Sequence, residues 1–199
     1  MTYRIGLTGV AGSGKDAAAD ALVERLGFTK VNMSHALQRD IDVLDPWIKV
    51  DDREGGSALC RRLSALRAEF TYDEAKERFP DYRETLQVYG TEVQRAIDPN
   101  VWVRRAAVEA EKYARVVTTG IRFLNERTGI DYLIHIERPG YGAVNDHISD
   151  AGMSEVIATA NITIVNDGTI EELHDKIVTL VEGLLDPTQP APTDWRSPR

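Results

Sequence analysis

Gly9, Gly12 and Gly14 fall within six residues near the start of the chain, and Lys15 and Asp16 follow at once. The spacing Gly9-x-x-x-x-Gly14-Lys15 is the pattern of a phosphate-binding loop, or P-loop. Glycines let the backbone adopt positive φ and turn its N–H groups inward around an anion. The main chain from Gly9 through Val10, Ala11, Gly12, Ser13 and Gly14 to Lys15 and Asp16 is therefore a candidate ATP-binding cradle. Lys15 is placed to reach the β- and γ-phosphates. The competing reading is a glycine-rich strand-to-helix turn with no ligand, and the flanking sequence argues against it.

Residues 3–8, YRIGLT, are apolar and β-prone, as a buried strand requires. From Asp16 a helix is predicted, with Ala18, Leu22 and Leu26 on one stripe and Gly27 as its stop. The start of such a helix adds free N–H donors and the positive end of a dipole. Asp16 stands where a P-loop usually offers Mg²⁺ a Ser or Thr hydroxyl. A carboxylate is also a hard oxygen ligand and could hold the ion directly or through water. Alternatively it is a first-turn acid that favours the helix N-terminus.

The rest of the chain supplies the surround. Further strands are predicted at 28–33, 116–119, 132–136 and 161–165. Between the second and third, residues 34–114 read as a helical block. Ser34 is an expected N-cap, 57–68 an expected amphipathic helix with Leu59, Leu63 and Leu66 on one face, and 71–74 a capping box. Another helix is expected from Asp81, striped by Tyr82, Leu86, Tyr89, Val93 and Ile97, and a further one striped by Trp102, Ala106, Ala110 and Tyr113. Residues 139–153 carry glycines with Asn145, Asp146 and His147 and read as a mobile loop. A second capping box at 169–172 opens a helix expected to bury Ile170, Leu173, Ile177, Leu180 and Leu184. Residues 186–199 read as a disordered, proline-rich tail. Five short strands joined through helices imply an α/β fold, a parallel sheet with helices on both faces and ligands at its carboxyl edge.

With 199 residues the chain suits one domain with an insertion, and 42% hydrophobic residues are enough for a sizeable core. The net charge of −8 argues against a nucleic-acid polymer as partner. Cys60 is the one cysteine, which excludes an intrachain disulfide or a thiolate zinc cluster and suits a reducing cytoplasm. No apolar run has the length of a membrane span, and a strand starting at Tyr3 leaves no room for a signal peptide.

Several ordered motifs then carry a resemblance: GVAGSGKD (9–16), YRETLQVYGTE (82–92), PNVWV (99–103), IRFLNE (121–126), ERPG (137–140), DHISD (146–150) and NDGTIEEL (166–173). Over about residues 3–185 the chain resembles the bacteriophage deoxynucleoside monophosphate kinases of the P-loop NMP kinase superfamily. The resemblance implies transfer of the ATP γ-phosphoryl to a deoxynucleoside monophosphate (dNMP), with Mg²⁺. It also implies a P-loop kinase fold with sheet order 2-3-1-4-5, a core of 1–33 and 115–185, an NMP-binding insertion at 34–114 and a lid at 139–153. A homodimer in the cytoplasm of a phage's host is a further implication. By the same resemblance Lys15, Arg122 and Arg138 become catalytic candidates at the transferring phosphates, and Asp16 the metal candidate. Arg83, Gln87 and Arg95 become candidates for the acceptor. Bidentate arginine suits phosphate, and a solvated surface charge is the plainer reading of each. The family often has an Asp before the Arg-Phe of the third-strand motif, where Gly120 stands here. That shifts weight onto Asp16, with Asp40, Asp42 and Glu126 as substitutes the sequence does not rank. The rival readings are a dephospho-CoA kinase, whose N-terminus is similar, another small-molecule kinase, and a nucleotide-binding switch. The Asp at position 16 and the YRETLQVYGTE block count against the first, and the helical insertion and arginine supply against the last.

Overall fold

The computed structural model describes residues 2–52, 58–141 and 153–186. It divides into two compact units, Met1–Met33 with Val103–Arg199, and Ser34–Trp102.

The first unit is built on a five-stranded, all-parallel sheet. Its strands are β1 (Tyr3–Thr8), β2 (Thr29–Asn32), β5 (Arg115–Thr119), β6 (Tyr132–Glu137) and β7 (Ile162–Val165), in the order β2-β5-β1-β6-β7. Counted among these strands alone, that is 2-3-1-4-5, as expected, and each expected strand is present within two residues of its predicted ends. Alternation along the strands supplies two apolar faces. On one, Ile5, Leu7, Val117, Ile134, Ile136 and Ile164 pack against α1 (Lys15–Leu26) and the last helix, Ile170–Leu185. On the other, Val31 and Val116 pack against Ala106 and Ala110 of the helix Val101–Ala110, while Ile121 and Leu133 meet Val156 of the helix Met153–Ala158. Helices thus cover both faces. The helix Val101–Ala110 packs here, and the second compact unit ends at Trp102. The expected capping box at Thr169 forms, with Thr169 Oγ1 accepting from Glu172 N and Glu172 Oε2 accepting from Thr169 N. Ile170 is 66% exposed although it shares the helix face of Leu173 and Ile177, because it is the first residue of the helix, at the end of the expected stripe.

The second unit departs from an all-helical block. It holds α2 (His35–Leu44), the hairpin strands β3 (Trp47–Asp52) and β4 (Ala58–Arg62), α3 (Leu63–Arg67), α4 (Tyr72–Arg78) and α5 (Pro80–Gln87). The helix read over 57–68 is therefore only the short α3, and Leu59 lies in a strand. The core of Ile41, Ile48, Leu63, Leu66, Tyr82 and Leu86 joins hairpin and helices. Ser34 precedes α2 but its hydroxyl caps no backbone N–H, accepting instead from Gln38 Nε2 at 3.0 Å. The Thr71–Glu74 capping box is present. After α5 the helix widens into a π-helical run, Val88–Arg95. The wider turn changes the helix phase beyond it, and Val93 and Ile97, expected on the buried stripe, are 43% and 78% exposed. Trp102 is buried and its indole N–H donates to the Gly90 carbonyl at 3.0 Å, making it a core residue.

Most of the lid candidate 139–153, including His147, and the proline-rich tail beyond 186 fall outside the described residues.

Candidate active site

The P-loop lies between the end of β1 and the start of α1, with its shape fixed from behind. Gly14, at φ 97°, forms the left-handed entry to the helix, and a Cβ there would stand 2.7 Å from Asn166 Nδ2 and 2.8 Å from Leu173. Asn166 follows β7 and is buried. Its side-chain amide donates to Ser13 O at 2.9 Å, and its own N–H donates to Glu137 O at 2.7 Å. A Cβ on Gly9 would stand 2.5 Å from the Ile136 carbonyl oxygen. The loop is therefore seated on the ends of β6 and β7. Ser13 Oγ is buried inside it with no hydrogen-bond partner. Asn166 is thus a brace behind the loop.

Lys15 folds back over this loop. Its ammonium donates to Val10 O at 3.4 Å and lies 3.8 Å from Asp16 Oδ2, with the side chain 17% exposed. Burial holds its pKa below the ordinary lysine value; the attraction of Asp16 opposes this, and the positive charges of Arg122 and Lys30 add to it. A corner where cations gather in this way is one that a polyphosphate would complete. Lys30 escapes sequence reasoning. It is 3.4 Å from Asp16 Oδ1 and 2.9 Å from Asp20 Oδ1, so Asp16 sits between two lysines. The available signal is a lone cation in the short strand β2.

Arg122 reaches this corner from a turn after β5. Thr8 Oγ1 at the end of β1 donates to Ile121 O at 3.1 Å. The buried carboxylate of Glu126 accepts from Arg122 N at 2.6 Å and Phe123 N at 3.1 Å. Glu126 thus organises the arginine's backbone and is committed as a cap, which speaks against it as a substitute metal ligand. Gly120 has φ 79°, and a Cβ there would lie 2.9 Å from Asn32 Oδ1, so an Asp at this position would be strained. At the same strand end Thr119 Oγ1 is buried without a partner. Arg138, just past β6, donates from Nη1 to Gly12 O at 3.2 Å. The structure therefore brings Lys15, Asp16, Arg122 and Arg138 to one edge of the sheet. Next to Thr8, His135 is buried, and burial lowers its pKa below the ordinary histidine value despite its hydrogen bond with the Thr8 backbone.

The other three candidates belong to the second unit. Arg83 and Gln87 are half-buried, four residues apart on α5, and so share a helix face. Arg95 closes the π-helical run and donates to Pro99 O at 3.1 Å. Asp40 and Asp42 lie on α2 of this unit, and Asp42 is 3.9 Å from Arg67.

The sequence profile of the deoxynucleotide monophosphate kinases matches residues 64–177, more than half of the chain. A protein of Acanthamoeba polyphaga mimivirus, "Putative deoxynucleotide monophosphate kinase", is 30% identical over 205 residues, covering 89% of this chain and 95% of the viral one. Among solved structures, shikimate kinase from Aquifex aeolicus vf5 aligns with TM-score 0.51 at 13% identity, over 91% of this chain and 97% of that one. TT1252 from Thermus thermophilus aligns with TM-score 0.52 at 18% identity, over 93% and 98%. These structural likenesses show the P-loop kinase fold. The chain belongs to the deoxynucleotide monophosphate kinase family and is an ATP-dependent phosphotransferase.

Proposed function

We propose that this enzyme transfers the γ-phosphoryl of ATP to a deoxynucleoside 5′-monophosphate, giving ADP and the deoxynucleoside diphosphate, in the supply of DNA precursors to a phage. The observation that carries the reading is the half-buried Lys15 ammonium on the P-loop, with the charge of Arg122 bearing on it. Phosphoryl transfer asks the protein for positioning and charge neutralisation rather than covalent chemistry. Backbone N–H groups from Gly9 to Lys15 hold the donor phosphates. Lys15 and Arg122 neutralise charge on the transferring group, and Arg138 approaches from the loop's outer side. Arg83, Gln87 and Arg95 hold the acceptor.

Mg²⁺ would arrive with ATP. The candidate donors here are hard oxygens, the Asp16 carboxylate and the unpartnered Thr119 hydroxyl. Among the described residues no cluster of three His, Cys, Asp or Glu forms a cage. Mg²⁺ keeps several waters and takes the rest of its shell from phosphates and one or two carboxylates, so hard oxygens such as these would suit it. Its chemistry would be neutralisation of the bridging phosphate oxygens. A homodimer in the host cytoplasm completes the proposal.

The test is transfer of a radiolabelled γ-phosphoryl from ATP, with Mg²⁺, to each of the four common dNMPs, the four ribonucleoside monophosphates and dephospho-CoA. Labelled deoxynucleoside diphosphate is expected from at least one dNMP. Label in dephospho-CoA alone would overturn the reading in favour of the rival kinase.

A further inference from the structure

Arg138 reaches the P-loop with a partner that the proposed transfer does not use. Its guanidinium carbon lies 4.4 Å from the centre of the Tyr141 ring. The same ring packs on the loop: a Cβ placed on Gly12 would stand 3.0 Å from Tyr141 Cε1 and 3.1 Å from Cδ1. Tyr141 N donates to Arg138 O at 3.1 Å, so the two side chains rise from one tight turn, Arg138-Pro139-Gly140-Tyr141. Arg138 Nη1 also donates to Gly12 O at 3.2 Å. Arg138 and Tyr141 thus stack on each other and both meet Gly12, the arginine by a hydrogen bond and the tyrosine by its ring edge. They do so although Tyr141 is 50% exposed and belongs to no hydrophobic core cluster. Burial does not explain why an aromatic side chain lies on a phosphate-binding loop. Holding a guanidinium does.

We infer that Tyr141 is a positioning residue for ATP binding: its ring is a shelf that keeps the Arg138 guanidinium against the P-loop before the nucleotide arrives. This deepens the proposed function and rests on its placing of ATP on this loop. An arginine on an exposed turn would otherwise lose rotamer freedom each time it met a phosphate or an adenine ring. Stacking confines it beforehand, and a face occupied by an aromatic ring leaves the in-plane N–H donors free to turn to an anion. Gly12 is part of the same device, since a side chain there would push the ring away.

The experiment is ATP binding to the full chain by calorimetry, without acceptor, for wild type, Tyr141→Phe, Tyr141→Leu, Arg138→Ala and the double variant Tyr141→Leu/Arg138→Ala. Tyr141→Leu keeps apolar bulk but removes the ring's charge distribution. It is expected to weaken ATP binding about two- to five-fold, the size of an exposed cation–π contact. Tyr141→Phe is expected to bind like wild type. In the Arg138→Ala background Tyr141→Leu is expected to add nothing, which a merely structural role for the tyrosine would not produce. In turnover, KM for ATP rises in Tyr141→Leu and KM for the acceptor stays. Wild-type affinity in Tyr141→Leu, or an undiminished loss in the Arg138→Ala background, would overturn the inference. These outcomes are separate from failure of the functional reading, which would show as normal ATP binding without transfer to any dNMP.

Discussion

The P-loop and the helical run from Pro80 to Arg95 both present candidate phosphate-binding groups, but they are built on different principles. The P-loop is made of backbone. Its shape comes from glycines at positive φ and from strand ends that leave no room for side chains behind it, with Asn166 bracing Ser13. Its ligand groups are fixed by the same contacts that close the core of the first unit. The run from Pro80 is made of side chains on a helix whose regularity is broken by π-turns from Val88 onward. There, Arg83, Gln87 and Arg95 are long, half-exposed groups whose direction depends on rotamer and helix phase. A backbone site tolerates little variation and binds what every nucleoside triphosphate shares. A side-chain site can be retuned without disturbing the fold, which suits the part of a kinase that must choose its acceptor.

Substitutions can break this contrast, and the largest effect is expected at Lys15. Lys15→Met removes the half-buried charge that folds over the loop, and should lower kcat roughly 100- to 1,000-fold while the melting temperature changes little. Near-normal turnover by pure, folded protein would show that the loop binds phosphate by backbone alone. Asp16 comes next. Losing a group that supports a metal ion commonly costs about 10- to 100-fold in affinity or activity. Asp16→Asn should therefore raise the Mg²⁺ needed for half-maximal rate and recover part of that rate at high Mg²⁺. A lowered melting temperature with an unchanged Mg²⁺ requirement would reduce Asp16 to a helix-terminus residue, held by Lys15 and Lys30.

The smallest effect concerns the buried edge of the sheet beside the loop. Burial holds the folded pKa of His135 below its ordinary value of 6.5. Below that pH the unfolded chain binds more protons than the folded one. The stability contributed by neutral His135 is thus present above 6.5 and lost as pH falls towards the folded pKa. Urea midpoints measured between about pH 7.5 and 5.5 should fall less steeply in His135→Leu than in wild type. Parallel slopes would mean that His135 does not titrate in this range.

The same contrast governs how much can be read from the sequence. Glycine spacing and continuous apolar strands are local signals, so the P-loop and the five strands are legible, as are both capping boxes; the order of the strands follows only from the family resemblance. The hairpin of β3 and β4 is not. Leu59, Leu63 and Leu66 have helical spacing, yet Leu59 belongs to a strand whose partner lies across a connection, and pairing of that kind leaves no local period. Nor is the π-helical run visible, because the steps from Tyr82 to Ile97 fit an ordinary helix; only the packing of Leu37 on Gly90 and the Trp102 hydrogen bond to the Gly90 carbonyl mark the place. At the site itself, Lys15, Asp16, Arg122 and Arg138 are found by type and position. Their supports, Asn166, Lys30, Glu126 as a cap and Tyr141, act through contacts that no motif records.

The proposed function divides the labour, with the donor assigned to the P-loop unit and the acceptor to the unit from Ser34 to Trp102. A matrix of initial rates, varying ATP against the preferred dNMP for wild type and Arg83→Ala, tests it most directly. The account predicts that KM for the dNMP rises by about tenfold or more, the cost of a charge-assisted contact, while KM for ATP stays near wild type. A rise confined to KM for ATP would contradict it and place Arg83 on the donor.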